Sequence, residues 1–171
     1  MILNNFKKIV LNSIFGSQST GYNIPTFKGT TLKDVNGNDM NIDGGSYGNT
    51  GFIQNSILNA INNPALTSEK GTLSIKVGTG TTDAYASDYA MENENQNLTI
   101  NSISTAFTSN LTKVITATIG NPTQNNIDVT EIGLFITDNN KKTYMIEHTV
   151  TAVPITVPSG QNKAITVELS M

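Results

Sequence analysis

The sequence contains no cysteine, no tryptophan and no arginine. Without cysteine, a disulfide framework, a thiolate zinc site and thiol catalysis are all excluded. Arg is the usual bidentate reader of phosphate and guanine, and the ten basic residues here are all Lys against a net charge of −3. A nucleic-acid partner is therefore not expected. Charged residues make up 13% of the chain, about half the usual ~25%. No apolar run approaches the ~18 residues of a membrane span, so no membrane partner is expected. The opening Met1–Lys8 does not read as a secretory signal. Its lysines interrupt the apolar stretch, and no small-residue cleavage site follows a long core. Synthesis and assembly in a cytoplasm are expected.

The polarity that is present comes from neutral side chains: 24 Thr, 23 Asn, 13 Ser and 5 Gln among 171 residues. A disordered chain of this length would be rich in charge. Asn-rich tracts can signal low-complexity disorder, but regular apolar alternation runs through these. The sequence therefore describes a folded chain with neutral polar surfaces, long enough for one domain or one domain with an arm.

The two parts of the chain read differently. Residues 1–70 form a helix, arm and hairpin region; residues 71–171 form the main β domain. In the first part, Ile2, Phe6, Ile9, Val10 and Ile14 share a helical stripe over 2–15, which Gly16 can close. The stripe serves either the chain's own core or a neighbouring subunit. Residues 17–50 are poor in apolar positions and read as an arm ordered in an assembly. Inside it, 32–40 reads as a hairpin, with Asn36-Gly37 supplying the positive φ angles of a tight two-residue turn. A glycine-rich loop follows at 44–51. A second helix is expected at 52–62, limited by Pro64.

From residue 71 the apolar period becomes two. Leu73, Ile75 and Val77 alternate with polar residues, as do Ile115, Ala117 and Ile119, then Tyr144, Ile146, His148 and Val150. The pattern continues in Val153, Ile155 and Val157, and in Ile165, Val167, Leu169 and Met171. This is the pattern of antiparallel strands with one face in a core and one in solvent. Turn signals separate the runs at 120–122, 138–140 and 158–160. The apolar parity switches between Leu98/Ile100 and Ile103/Thr105/Phe107, and again between Ile127/Val129 and Ile132/Leu134/Ile136. Each switch predicts a bulge, one near Asn101-Ser102 and one near Thr130-Glu131. About seven strands at this spacing predict a mainly β fold: an antiparallel β-sandwich, immunoglobulin-like or jelly-roll-like, with a short helical and extended N-terminal region.

The candidate sites have bland readings. His148 is the only histidine, and a hydrolytic triad would have to use it. It sits at an apolar-parity strand position, where a packed, hydrogen-bonded histidine is the expected role, and no G-x-S-x-G elbow exists. Asp83, Asp88, Glu92 and Glu94 cluster in sequence, with Glu131 and Glu147 in strands. A glycosidase needs two carboxylates ~5–10 Å apart, and any chain with 13 acids offers such pairs. Asp34-x-Asn36-x-Asn38 resembles the start of a calcium loop, but Asp39 stands where Gly is required and Gly45 where a bidentate Glu is expected. Gly78-Thr79-Gly80-Thr81-Thr82 resembles a phosphate-cradling loop without its Lys, and reads as a turn leaving a strand. Asn97-Leu98-Thr99 and Asn110-Leu111-Thr112 match the glycosylation pattern and read as chance matches. No catalytic, cofactor-binding or metal-binding residue is assigned.

Three stretches together resemble one family. Lys76-Val-Gly-Thr-Gly-Thr-Thr-Asp-Ala-Tyr-Ala-Ser-Asp-Tyr-Ala-Met-Glu92 is similar to a V-G-T-G-T-T segment followed by S-D-x-A-L-E in virion proteins of tailed bacteriophages, with Met91 in place of Leu. Val129-Thr-Glu-Ile-Gly-Leu-Phe135 resembles their later T-E-I-G-L-F strand. Pro154-Ile-Thr-Val-Pro-Ser-Gly160 resembles the stretch before their final strand. The likeness covers roughly 71–171. It implies a non-enzymatic structural component of a phage particle, in tail, neck, fibre base or head decoration. It also implies a virion location, copies of itself and other virion proteins as partners, and no cofactor. In that light Gly133 is expected to permit close backbone packing and Glu131 to tie a loop by hydrogen bonds. The rival reading is a carbohydrate-binding or host-adhesion module, which usually exposes a row of aromatic rings; Tyr22, Tyr47, Tyr85, Tyr89 and Tyr144 form no evident row.

Overall fold

The computed structural model describes residues 1–8, 31–41, 62–69, 71–108, 112–138 and 141–169. The expected helix beyond residue 8, the loop at 44–51, nearly all of the helix at 52–62 and Met171 lie outside these residues. The described strands are β1 (Thr31–Lys33), β2 (Asp39–Asn41), β3 (Thr72–Gly78), β4 (Thr99–Phe107), β5 (Lys113–Gly120), β6 (Ile127–Thr137), β7 (Thr143–Val157) and β8 (Asn162–Leu169). They form a small β1-β2 hairpin and two three-stranded sheets, ordered β3-β6-β7 and β4-β5-β8. Every pairing is antiparallel.

The two larger sheets share one hydrophobic core. Leu73, Ile75, Val77, Ile132, Leu134, Ile136, Tyr144 and Ile146 come from one; Ile115, Ala117, Ile119, Ile165, Val167 and Leu169 come from the other. The chain is thus mainly β, consistent with a sandwich. Both expected bulges are present: the register shifts between Ile100 and Ser102 in β4, and between Val129 and Glu131 in β6. In β4-β5-β8 the apolar period of two corresponds to one core face and one more open face, clearest in β8.

The other sheet departs from that expectation. Residues 131–137 of β6 are buried without alternation. The cause is a cover on the outer face of β3-β6-β7. Leu3, Phe135 and Met145 form a second apolar cluster there, with Val35 and Met91 packed against it. Residues 1–3 run beside the β7 edge: Leu3 N donates to Ile146 O, and His148 N donates to Met1 O. Residues 4–8 make one helical turn. Asn5 bonds the main chain of both Lys33 and Met145, which fastens that turn to the hairpin and to β7. Thus Phe6 and Leu32 enter the chain's own core.

The hairpin at 31–41 forms with a different turn from the expected one. Lys33 pairs with Asp39, so the loop spans 34–38 rather than two residues. Gly37 takes a left-handed backbone at φ 80°. The Asp34 carboxylate accepts from the N–H of Asn36 and of Asn38 at 2.9 Å each. A side-chain acceptor that organises its own turn removes the need for two successive left-handed residues.

A further register shift, between Leu134 and Phe135, was not legible in the sequence. Phe135 faces Met145 while Leu134 faces Glu147, so Ile146 is the extra residue. The shift places His148 opposite Gly133, on the covered outer face rather than in the core stripe.

Gly133 is a point of close packing, but against side chains rather than the expected backbone. A methyl group built on it would lie 2.7 Å from Cε2 of Phe135 and 3.3 Å from the Met145 sulfur. The Phe135 ring therefore needs a hydrogen at residue 133. Gly133→Ala is expected to cost about 1–3 kcal/mol by overpacking, read as a lower urea midpoint with an unchanged slope.

Candidate functional site

Gly80, Asp88, Glu92, Asn93, Glu131 and His148 converge on that outer face. Segment 79–94 leaves β3 and returns to it: Thr79 N donates to Asn93 O at 2.9 Å, and Asn95 N donates to Val77 O at 2.9 Å. Glu131 projects from the β6 bulge beneath this loop with 0% exposure. Its carboxylate accepts the main-chain N–H of Glu92 at 2.5 Å, of Asn93 at 3.0 Å and of Gly80 at 3.3 Å. From the neighbouring position, the Thr130 hydroxyl donates to Gly80 O at 2.8 Å. A methyl group on Gly80 would lie 2.5 Å from Glu131 Oε2. Only glycine lets the loop backbone approach the carboxylate this closely.

The phosphate-like segment thus wraps internal carboxylates. The N–H groups of Thr81 and Thr82, and the Thr82 hydroxyl, donate to Glu92 at 2.7, 2.9 and 2.9 Å. Bonds from the N–H and hydroxyl of Thr82, then from the N–H of Thr81, hold the Glu92 carboxyl below its ordinary range.

His148 closes the cluster. Its Nδ1 lies 2.7 Å from Asp88 Oδ2 and its Nε2 lies 2.9 Å from Glu131 Oε1. A neutral imidazole carries one N–H, so two protons shared over the ring and its two carboxylates satisfy both contacts. The packed, hydrogen-bonded histidine is found, although its partners are carboxylates of the loop (Asp88) and of β6 (Glu131) on the outer face rather than the hydrophobic core. Asp88 was flagged only as one of a run of acids. Its signal is the Ser-Asp pair at 87–88, ahead of a loop that turns back on itself: Asp88 also accepts from Tyr85 N at 2.8 Å.

The other candidates separate from this cluster. Glu94 pairs with Lys76 at 2.8 Å across the β3 edge. Glu147 binds the Met1 ammonium at 2.8 Å and accepts from the Thr149 hydroxyl. Asp83 is exposed and lines a shallow depression beside Tyr85, His148 and Thr149. Tyr85 is 60% exposed, whereas Tyr89 lies against Gly37 and beneath Lys33. Tyr144 is buried with its hydroxyl on Asp138; its burial and the Asp138 carboxylate push its phenol far upward. Tyr22, Tyr47 and Asn110-Leu111 lie outside the described residues.

The calcium-like run does not aim acceptors at a cation. Asp34 is buried and faces donors: the N–H groups of Asn36 and Asn38, the Asn38 amide at 3.2 Å, and Lys142 at 3.7 Å. These residues fit a hairpin turn and not calcium. Burial raises the Asp34 carboxyl, but the bonds from Asn38 and Asn36 and the Lys142 charge outweigh it and hold the group below its ordinary value.

Two predictions follow from these bonds. Glu131→Ala strands its donors in a buried site and is expected to cost about 3–5 kcal/mol. Urea melts should show the loss, with new protease cleavage inside 79–94; unchanged melting would remove the role from Glu131. Asp34 and Glu92 have folded-state values below their unfolded ones. Their contributions are complete above about pH 4–5 and disappear as pH falls through the lowered values. Urea midpoints measured down the acid limb should therefore drop less steeply in the Asp34→Asn, Glu92→Gln double variant than in the wild type.

Compared with known proteins, the chain matches no protein-family model, no curated protein and no solved structure.

Proposed function

We propose that this chain is a non-enzymatic structural component of a tailed-bacteriophage particle, acting through contacts between subunits on an immunoglobulin-like or jelly-roll-like sandwich. One observation carries the reading. Two of the segments that resemble phage virion proteins, 76–92 and 129–135, close on one another. Their bonds join residues 51 apart at Gly80–Glu131, and Glu131 also binds Asn93, 38 residues away, just past the first segment. The Glu131 carboxylate and the Gly80 backbone are parts of one internal clamp. The segments are thus mutually required as structure: each makes sense only when the other is present.

The clamp aims its acidic groups at main-chain N–H donors, which is the chemistry of a fixed loop. The chain as a whole is Thr- and Asn-rich, the composition of wet, hydrogen-bonded contacts between subunits. The partners are other copies of the chain and other virion proteins, and its location is the virion. The adhesion alternative rests on Tyr85, an exposed ring beside Asp83, with Tyr89 the other exposed tyrosine among the described residues.

The test is composition of the particle. Phage particles from a lysate containing this chain, banded on a density gradient, should carry it at a fixed multiple-copy ratio to the major capsid protein by quantitative mass spectrometry. A chain that stays in the soluble fraction while particles band without it would overturn the reading.

A further inference from the structure

Sheet edges attract other strands, and soluble proteins protect them. Three of the four outer edges in the two larger sheets carry protection. The β3 edge is met by bridges from Pro64 to Leu73 and from Glu94 to Gly78, and the β7 edge by a bridge from Ile2 to Glu147. The β8 edge carries Lys163 and Glu168, both exposed. The β4 edge differs. Its nine residues, Thr99–Phe107, include no charged residue and no proline. Among the described residues β4 pairs only with β5. Ser102, Ser104 and Ala106 are exposed, and Phe107 is 68% exposed.

The direction of the open backbone groups follows from one bond. Thr108 N donates to Thr112 O, so residues 108, 106, 104 and 102 turn their main-chain groups toward β5. In an antiparallel ladder the intervening residues turn theirs the other way. Ile103, Thr105 and Phe107 therefore present N–H and C=O at the free edge.

We infer that this edge is where two copies of the chain pair, β4 against β4, antiparallel about a two-fold axis at Thr105. The occupant follows from the residues themselves. Centring on Thr105 sets Thr105 opposite Thr105 and Ile103 opposite Phe107, twice. It also sets Ser104 opposite Ala106. Thr–Thr and aromatic–β-branched pairs are favourable cross-strand partners. The exposed Phe107 ring, which lies 4.3 Å from the Lys113 ammonium on its own sheet, gains an apolar neighbour. A strand without charge meets no like-charge repulsion in such a pairing. The product is one six-stranded sheet, β8-β5-β4 continuing into the second copy's β4-β5-β8, with the interface isologous and closed.

Sedimentation velocity from low to high micromolar concentration should show the 18.3 kDa chain passing to twice that mass. Thr105→Pro removes an N–H that β5 does not use, so it should weaken the dimer at least about tenfold while leaving the thermal melt in place. Ser104→Lys is the second variant and should act likewise. Because the chain has no cysteine, Thr105→Cys should give a disulfide-linked dimer on mild oxidation, its Cα separation near 5.5 Å across such a pair lying within disulfide range. Lys163→Cys on the β8 edge should not. A wild type that stays monomeric, a dimer insensitive to both edge variants, or equal cross-linking at 105 and 163 would overturn the inference. Pairing through β4 stands on the strand alone: a dimer absent from phage particles would sink the particle role and leave this contact, and a monomer found in particles would do the reverse.

Discussion

A carboxylate without solvent exposure is the constraint on which the covered side of the molecule depends. Desolvating Glu131 costs several kcal/mol unless donors replace water. Three main-chain N–H groups and one imidazole nitrogen do so. Main-chain donors can be brought to one point only if their loop takes one path. The need to satisfy a single buried group therefore specifies the course of residues 79–94. It also explains the small residue at Gly80, where any side chain would occupy the acceptor's place. His148 extends the same logic by one bond: held by Glu131 on one ring nitrogen, it reaches Asp88 on the other.

That fixed loop has a packing consequence. It joins residues 1–8 and the hairpin in covering the outer face of β3-β6-β7, with Asn4 N donating to Ala86 O and Val35 N to Thr143 O. A slip of one residue would exchange the core-facing and cover-facing side chains of this sheet and take the Glu131 carboxylate away from its loop donors. The β3-β6-β7 sheet is thereby held in register from both sides. Among the described residues the β4-β5-β8 sheet has only its core face to hold it, and β4 contributes little even there, with Ile103 partly buried between exposed neighbours.

The strands were legible where burial is one-sided. In β5 and β8 a period of two maps directly onto in and out, and the parity switches at 100–103 and 129–132 located two bulges correctly because an apolar set had to change face. The same rule misplaced His148. The shift at Ile146 sits among residues buried on both faces, and the polar Glu147 and His148 beside it are buried as well, so polarity did not separate the two sides there. The hairpin was legible as a reversal, but not its length: the Asn36-Gly37 signal was real, and the Asp34 side chain, a longer-range acceptor, decided the turn. The role of Glu131 was accessible through the resemblance of its segment. Its donors were not, because main-chain N–H groups leave no trace in side-chain identity. Only the glycines at 78 and 80 hinted at where backbone must come close.

The two faces of the molecule follow opposite design rules, and the contrast carries information. Where β3 and β7 would expose their edges, the chain covers them with its own segments. Where β8 is open, it places a Lys and a Glu. Each device is one that proteins use to refuse strand partners. A sequence that applies such devices to three edges has the means to apply them to the fourth, since one Lys in place of any of several exposed Ser or Thr residues in β4 would suffice. Among the described residues, leaving an uncharged strand on that edge with the main-chain groups of Ile103, Thr105 and Phe107 unused is a permission rather than an oversight of composition. Clamp and edge are then two halves of one requirement. A subunit whose open edge is to meet a second copy in one register must hold that edge's supporting body rigid. Burying ionised groups against main-chain donors is a way to obtain rigidity in a chain with little apolar area to bury.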